Sequence, residues 1–212
     1  CSSKESARVH FEEQLASLEV SYVDLALIHW PTGCSDDEIY ETWCALEDAL
    51  SANQTRAIGI SNFNETHLDH LAAHELSVWP PAVNQVEMSV SFHDDAQIAA
   101  TLQRGIAVQA FSPLCGGDNG SSCQDHGGTS VLDVPEVQDV AERYNVSTAQ
   151  VGLKWVVQQG SPLATSIWRL DYMLEDLDLW SWGLLADEDM ALLSAVYTGG
   201  SSGGKTLPPG FE

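Results

Sequence analysis

Five short apolar runs punctuate the chain, and each ends in, or leads into, a polar or aromatic signature. Tyr22 to Ile28 ends in His29-Trp30-Pro31, and Arg56 to Ile60 ends in Ser61-Asn62-Phe63. Ala82-Val83 leads into Asn84-Gln85-Val86-Glu87, Ile106 to Ala110 ends in Phe111-Ser112-Pro113-Leu114, and Leu163-Ala164 ends in Thr165-Ser166. Short apolar runs bounded by polar signatures read as strands. The segments between them carry helical spacing. Phe11, Leu15 and Leu18 share one face of a helix over Glu5 to Leu18, and Ser35-Asp36-Asp37-Glu38 is a capping box that opens a helix to about Ala52. Further helices are predicted over 64–74, 94–103, 135–144, 147–159 and 187–196, with Asn64 and Ser147 as caps. A strand followed by a helix returns about every 25 to 35 residues, which is the period of a βαβ unit.

Strands that alternate with helices and carry polar residues at their C-terminal ends imply a parallel α/β fold with its site at those ends. The predicted strands lie at about 22–28, 56–60, 82–86, 106–110 and 163–166. A closed (β/α)8 TIM barrel has eight strands, so the expectation is an incomplete barrel of about five βα units over residues 1–197. Residues 198–212 are rich in Gly, Ser and Pro and are expected to form a flexible tail. The alternative is an open five-stranded sheet with helices on both faces, but the Gly-rich phosphate turn usual in that fold is missing. The Gly/Ser/Asp-rich stretch from Cys115 to Thr129 is long for a βα connection, which points to a functional loop.

Charge narrows the partners. The 212 residues hold 31 acidic and only 8 basic side chains, a net charge of −23. Such a surface repels nucleic acid and anionic membranes. Any anion site must draw on Lys4, Arg8, Arg56, Arg104, Arg143, Lys154, Arg169 or Lys205. No apolar stretch reaches the roughly 18–20 residues of a membrane span. The five cysteines form no closely spaced pair and read as free thiols of a cytoplasmic protein, with a Cys115–Cys123 pairing as the alternative. Four of the six asparagines, Asn53, Asn64, Asn119 and Asn145, stand in Asn-x-Ser/Thr, which leaves secretion open. The chain starts at Cys1 without a leader, so a segment was removed or the sequence is a fragment. His67, His70 and His74 follow helical spacing but read as a solvated face, and no metal site is expected.

Taken in order, the five signatures resemble the aldo-keto reductases. Tyr22 to Pro31 is similar to the fourth strand of that barrel with its catalytic histidine. Arg56 to Phe63 is similar to the fifth, Asn84 to Glu87 to the sixth, and Ala110 to Leu114 to the seventh. Ala149 to Trp155, with Gln158-Gln159-Gly160, resembles the helix before the eighth strand. The similarity runs from about Phe11 to about Leu193. The resemblance implies hydride transfer between NADP(H) and a small aldehyde or ketone. His29 would orient the carbonyl and stabilise the developing alkoxide, and Trp30 would line the substrate pocket. Ser61, Asn62 and Gln85 would hold the nicotinamide carboxamide. Phe111 would stack on the nicotinamide ring. Ser112, Pro113 and Leu114 would hold the pyrophosphate, and Thr165, Ser166 and Arg169 the adenosine phosphate.

Two departures from that pattern stand out. The family's lysine after the eighth strand is missing, and Arg169 is the only cation nearby, so the implied NADP site is weakened and NAD becomes possible. The first three βα units are absent, and with them the proton-donating tyrosine and its aspartate and lysine partners. Residues 1–212 alone are therefore expected to show little or no carbonyl reduction. The alternatives are a non-catalytic nicotinamide-nucleotide-binding or regulatory protein on the same fold, and a degraded gene product that does not fold alone.

Overall fold

The computed structural model describes residues 1–116 and 129–197. They form two compact units. The first comprises Cys1–Val86 and Ala96–Val108; the second comprises Glu87–Asp95 and the described residues from Gln109 onward.

In the first unit α1 (Lys4–Ser17), β1 (Ala26–Ile28), α2 (Asp36–Ser51), β2 (Ile58–Ser61) and α3 (Glu65–Ala72) alternate. The start of β3 (Val83–Ser89), most of α4 (Asp95–Gln103) and the start of β5 (Ala107–Phe111) complete it. β1 lies parallel to β2 with Ile28 opposite Ile60, and β2 lies parallel to β3 with Ser61 opposite Gln85. The Ala107 amide donates to the Ala82 carbonyl at 3.3 Å. Parallel strands covered by helices are apolar on both faces, and β2 is buried along its whole length. Its Gly59 is a packing requirement, since a Cβ there would lie 2.7 Å from the Val83 carbonyl oxygen. Trp43, Ile58, Ile60, Phe63 and Leu68 form the core beneath the helices.

The caps follow local chemistry. Ser35 and Glu38 close a reciprocal box on α2. Asn64 accepts from the His67 amide at 3.1 Å, while His67 Nδ1 accepts from the Asn64 amide at 3.2 Å. His70 meets Asp36 at 3.0 Å and His74 stacks on Tyr40. Asn53, just past α2, and Asn145, the C-cap of a later helix, both have positive φ, a conformation that Asn tolerates. Three of the four sequon asparagines thus have backbone roles.

The His67 cap makes stability depend on pH. Burial, aided by neighbouring His70, pushes the His67 imidazole below its ordinary value. The ring must be neutral at Nδ1 to accept the Asn64 amide. Its contribution is therefore complete above the unfolded-state value near 6.5 and is lost as pH falls toward the depressed folded value. A cap of about 1 kcal/mol corresponds to about 2–4 °C in a chain of this size. The melting temperature should fall by that amount more in the native chain than in His67→Asn between pH 7.5 and 5.5. Parallel pH profiles for the two proteins would contradict the assignment.

In the second unit the end of β3 turns back on β4 (Phe92–His93), with Met88 opposite His93 and Ser89 opposite Phe92. This hairpin is absent from the sequence-based reading because its turn, closed by Ser89 Oγ accepting the Phe92 amide, contains no Gly, Asn or Pro. The end of β5 lies parallel to β6 (Leu163–Ala164). A 3-10 turn (Val131–Asp133), α5 (Pro135–Tyr144), α6 (Thr148–Gln158), α7 (Leu170–Leu177) and α8 (Asp187–Ser194) surround them. α6 is buried from Gln150 to Val156. Its polar side chains hold the segment after α7: Gln150 Nε2 donates to the Asp178 carbonyl and Lys154 Nζ to the Leu179 carbonyl. The Lys154 ammonium also faces the Trp180 and Trp182 rings, which suits a cation taken out of water.

α7 is a helix that the sequence reading missed. It has no side-chain cap and no buried residue. Leu170, Leu174 and Leu177 lie outward and exposed, while Glu175 and Asp176 are half-buried. This inverts the pattern from which an amphipathic helix is recognised.

The free-thiol expectation is corrected for Cys1 and Cys34, which form a disulfide with Cα atoms 5.8 Å apart. Spacing in sequence carries no sign of it. Packing of α1 on α2 creates it, with Ser2 and Thr42 exchanging hydrogen bonds. Cys44 is a free thiol. The Cys115–Cys123 alternative, the sequon at Asn119, most of the 115–129 loop and the 198–212 tail lie outside the described residues. Among the described residues β1 pairs only with β2 and β6 only with β5, and no helix is long and apolar enough to cross a membrane.

Candidate functional site

In the first unit, parallel register brings His29 and Ser61-Asn62, at the C-terminal ends of β1 and β2, level with Gln85 within β3. Asn62 organises them. Its Nδ2 donates to the His29 carbonyl at 3.1 Å and to Ser61 Oγ at 2.9 Å, and its own amide donates to the Gln85 carbonyl at 2.9 Å. Ser61 Oγ donates to that same carbonyl at 2.8 Å. Both Nδ2 protons are used, whereas Asn62 Oδ1 has no hydrogen-bond partner among the described residues. The Ser61 hydroxyl is buried and engaged on both sides, so in the structure it positions Asn62 instead of facing a ligand. Asn62 adopts φ 64°. Asn tolerates this left-handed conformation, as at Asn53 and Asn145, and here it turns the chain at the strand end. The His29 ring is exposed and edge-on to half-buried Trp30.

Asn84 is a participant that sequence reasoning quoted but left without a role. It is completely buried and donates to the Phe63 carbonyl at 2.8 Å and to Thr101 Oγ1 at 2.9 Å, while its Oδ1 accepts from the Phe63 amide. It thereby fixes the turn that carries Asn62. Its signal in the sequence was a second polar residue directly ahead of Gln85, between Val83 and Val86.

The second unit holds a cleft of about 660 Å³. Phe111, Ser112, Pro113 and Leu114 form one wall and Thr165 and Ser166 another, so six of the predicted cofactor residues meet there. The turn after β5 is also left-handed: Ser112, Cys115 and Gly116 all have positive φ, and the Cys115 amide closes on the Ser112 carbonyl at 2.9 Å. Alternating backbone of this kind points amides into a concavity suited to an anion. Ser147 and Thr148, at the N-terminus of α6, also line the cleft. Unanticipated lining residues are Trp168, largely exposed, and the α7 carboxylates Glu175 and Asp176. Burial, then the neighbouring Glu175 charge, pushes the Asp176 carboxyl above its usual range.

Arg169 is not brought into the cleft lining. Its guanidinium pairs with Asp171 and lies over the Tyr172 ring. The other described cations are likewise engaged: Lys4 with Asp48, Arg8 with Glu5 and Glu12, Arg56 with Asp24, Arg104 with Asp69, and Arg143 with Asp189. Lys154 is buried on the Leu179 carbonyl.

Comparison with known proteins gives this geometry a context. The aldo/keto reductase family model matches residues 1–198. This chain belongs to the aldo/keto reductase family. It is 35% identical over 190 residues to morphine 6-dehydrogenase of Pseudomonas putida, covering 89% of this chain and 63% of that protein. It is 32% identical over 192 residues to glyoxal reductase of Bacillus subtilis, covering 91% of this chain and 63% of that protein. An aldo-keto reductase from a deep-sea metagenome library superposes with a TM-score of 0.82 at 25% identity, over 95% of this chain and 70% of that one. A Bombyx mori aldo-keto reductase in complex with NADP superposes with a TM-score of 0.77 at 26% identity, over 92% of this chain and 64% of that one. The chain thus spans about three fifths of the length of these curated relatives. Its fold is the (β/α)8 barrel of the family, incomplete in these residues.

The residues can be tested against the nicotinamide dinucleotide that the family implies. Open Asn62 Oδ1 suits the amide protons of a carboxamide. Phe111 offers an aromatic face, and the Ser112–Gly116 turn with the α6 N-terminus suits a diphosphate. An additional phosphate monoester does not fit, because among the described residues lining the cleft the charged side chains are Glu175 and Asp176, and none is a cation.

Proposed function

We propose that this chain supplies the nicotinamide-nucleotide-binding part of an NAD(P)-dependent oxidoreductase acting on a small aldehyde or ketone. The observation that supports this reading best is the Asn62 cluster, whose donors are consumed inside the protein while one carbonyl acceptor is left open toward a carboxamide. When bound, a reduced nicotinamide supplies hydride to a carbonyl carbon. In the first unit Asn62 and Gln85 would hold the carboxamide, and in the second unit Phe111 would offer a stacking face. Ser112, Pro113 and Leu114 then hold the phosphates, Thr165 and Ser166 belong to the adenosine side, Arg169 is held apart by Asp171, and Trp30 shapes the pocket. The exposed His29 imidazole is placed to donate a hydrogen bond to the oxygen on which negative charge develops. Proton donation falls, by resemblance, to a tyrosine in βα units that residues 1–212 do not contain. Nucleotide binding is therefore proposed for residues 1–212, and carbonyl reduction for a protein that holds those units as well. The reading as a nucleotide-binding or regulatory protein draws on the same fact, that His29 is the one catalytic group present.

Titration with nicotinamide mononucleotide, followed by tryptophan fluorescence, tests this reading. Asn62→Gly keeps the left-handed backbone and removes the side chain. It should weaken binding by roughly tenfold, the worth of a buried hydrogen bond, with the fold intact by circular dichroism. Unchanged affinity would remove Asn62 from the site. Clear aldehyde-dependent oxidation of NADPH by residues 1–212 would overturn the division of labour.

A further inference from the structure

We infer that the second-unit cleft selects against a nucleotide with an extra phosphate monoester, so that the chain prefers NAD to NADP. This inference rests on the proposed nucleotide-binding function. It is carried by charge and position. Among the described residues the cleft presents two carboxylates, Glu175 and Asp176, and no cationic side chain. Both stand on α7, whose apolar Leu170, Leu174 and Leu177 face outward, so the helix is rotated with its acids toward the cleft. The nearest candidate counter-charge, Arg169, is held by Asp171 and Tyr172 outside the lining.

The two dinucleotides differ by one phosphate monoester, which carries between one and two negative charges near neutral pH. A charge of that size beside two partly desolvated carboxylates is opposed by Coulomb repulsion that bulk water would otherwise screen. The diphosphate common to both is treated differently. It can be met by the backbone amides of the Ser112–Gly116 turn and by the α6 N-terminus, which need no cation. The site thus accepts a nucleotide through backbone dipoles and excludes extra charge through side chains.

The test compares two probes, AMP and 2′,5′-ADP, by calorimetry on the full chain. Fluorescence of the cleft-lining Trp168, with Trp168→Phe as the control, gives an independent readout. AMP should bind at least about tenfold more tightly than 2′,5′-ADP at low salt, and the ratio should shrink as salt screens the carboxylates. The double substitution Glu175→Gln with Asp176→Asn should bring the ratio toward one by strengthening 2′,5′-ADP and leaving AMP unchanged. Both acids are half-exposed at their outer edges and the replacements are isosteric, so the fold should persist. Equal affinity of the native chain for the two probes, or tighter 2′,5′-ADP, would overturn the inference and leave the nucleotide-binding reading standing. Binding of neither probe would overturn both.

Discussion

Asn84→Leu is expected to melt about 6–12 °C below the native chain, the equivalent of about 3 kcal/mol. Leucine has the same branched four-heavy-atom skeleton as asparagine, is bulkier, and carries no polar atom. The substitution leaves the Phe63 amide without a partner in a site closed to water, takes from Thr101 Oγ1 the hydrogen bond it accepts while its bond to the Gln97 carbonyl remains, and removes one of two donors to the Phe63 carbonyl, the other being Gln97. Burying a polar group unpaired costs more than its hydrogen bond contributes. The functional consequence separates a positioning residue from a merely structural one. Asn84 holds the turn that follows Asn62, so affinity for nicotinamide mononucleotide should fall about tenfold at a temperature where the variant is folded. AMP, a probe of the second-unit cleft, should bind unchanged. Equal losses for both probes would show that Asn84 acts only through global stability.

Gly152→Val should cost about 2–3 kcal/mol, against the direction that helix propensity predicts. Gly152 lies in the middle of α6, where glycine is ordinarily about 1 kcal/mol worse than alanine. Here a Cβ would stand 2.7 Å from Val131 Cγ1 and 3.2 Å from Leu114 Cδ2. Val131 is completely buried and β-branched, so it cannot swing aside. The strain would pass to Leu114, at the end of the turn assigned to the diphosphate. Thermal melting together with AMP titration checks this, with Gly152→Ala expected in between on both measures. A valine variant as stable as the native chain would show that the 3-10 turn and the Leu114 segment yield freely.

How much of this was legible beforehand varies by element. The strands at β2, β3 and β5 and the caps at Ser35, Asn64 and Ser147 were readable because each is determined by neighbours in sequence. β1 proved shorter than its apolar run, since Asp24 turns outward to Arg56 and leaves only an isolated bridge, Val23 to Thr55, ahead of Ala26. β4 escaped notice because its turn uses a serine side chain in place of glycine. α7 escaped because its apolar face is not the buried one.

The sequence by itself determined the order of βα units, the polar signatures at the strand ends, the scarcity of cations and the family. The order of units and the scarcity of cations reside in local periodicity and composition, and the family in the resemblance of the five signatures, none of which packing can change. Only the tertiary structure decided what each polar side chain is free to do. Parallel register made Ser61 a support for Asn62 and left one Asn62 oxygen open. The packing of α1 on α2 joined Cys1 to Cys34. The rotation of α7 turned Glu175 and Asp176 toward the second-unit cleft, and Asp171 paired with Arg169 outside its lining. Charge and hydrogen-bonding capacity are written in the chain, but their availability depends on which partners the fold brings within about 3 Å.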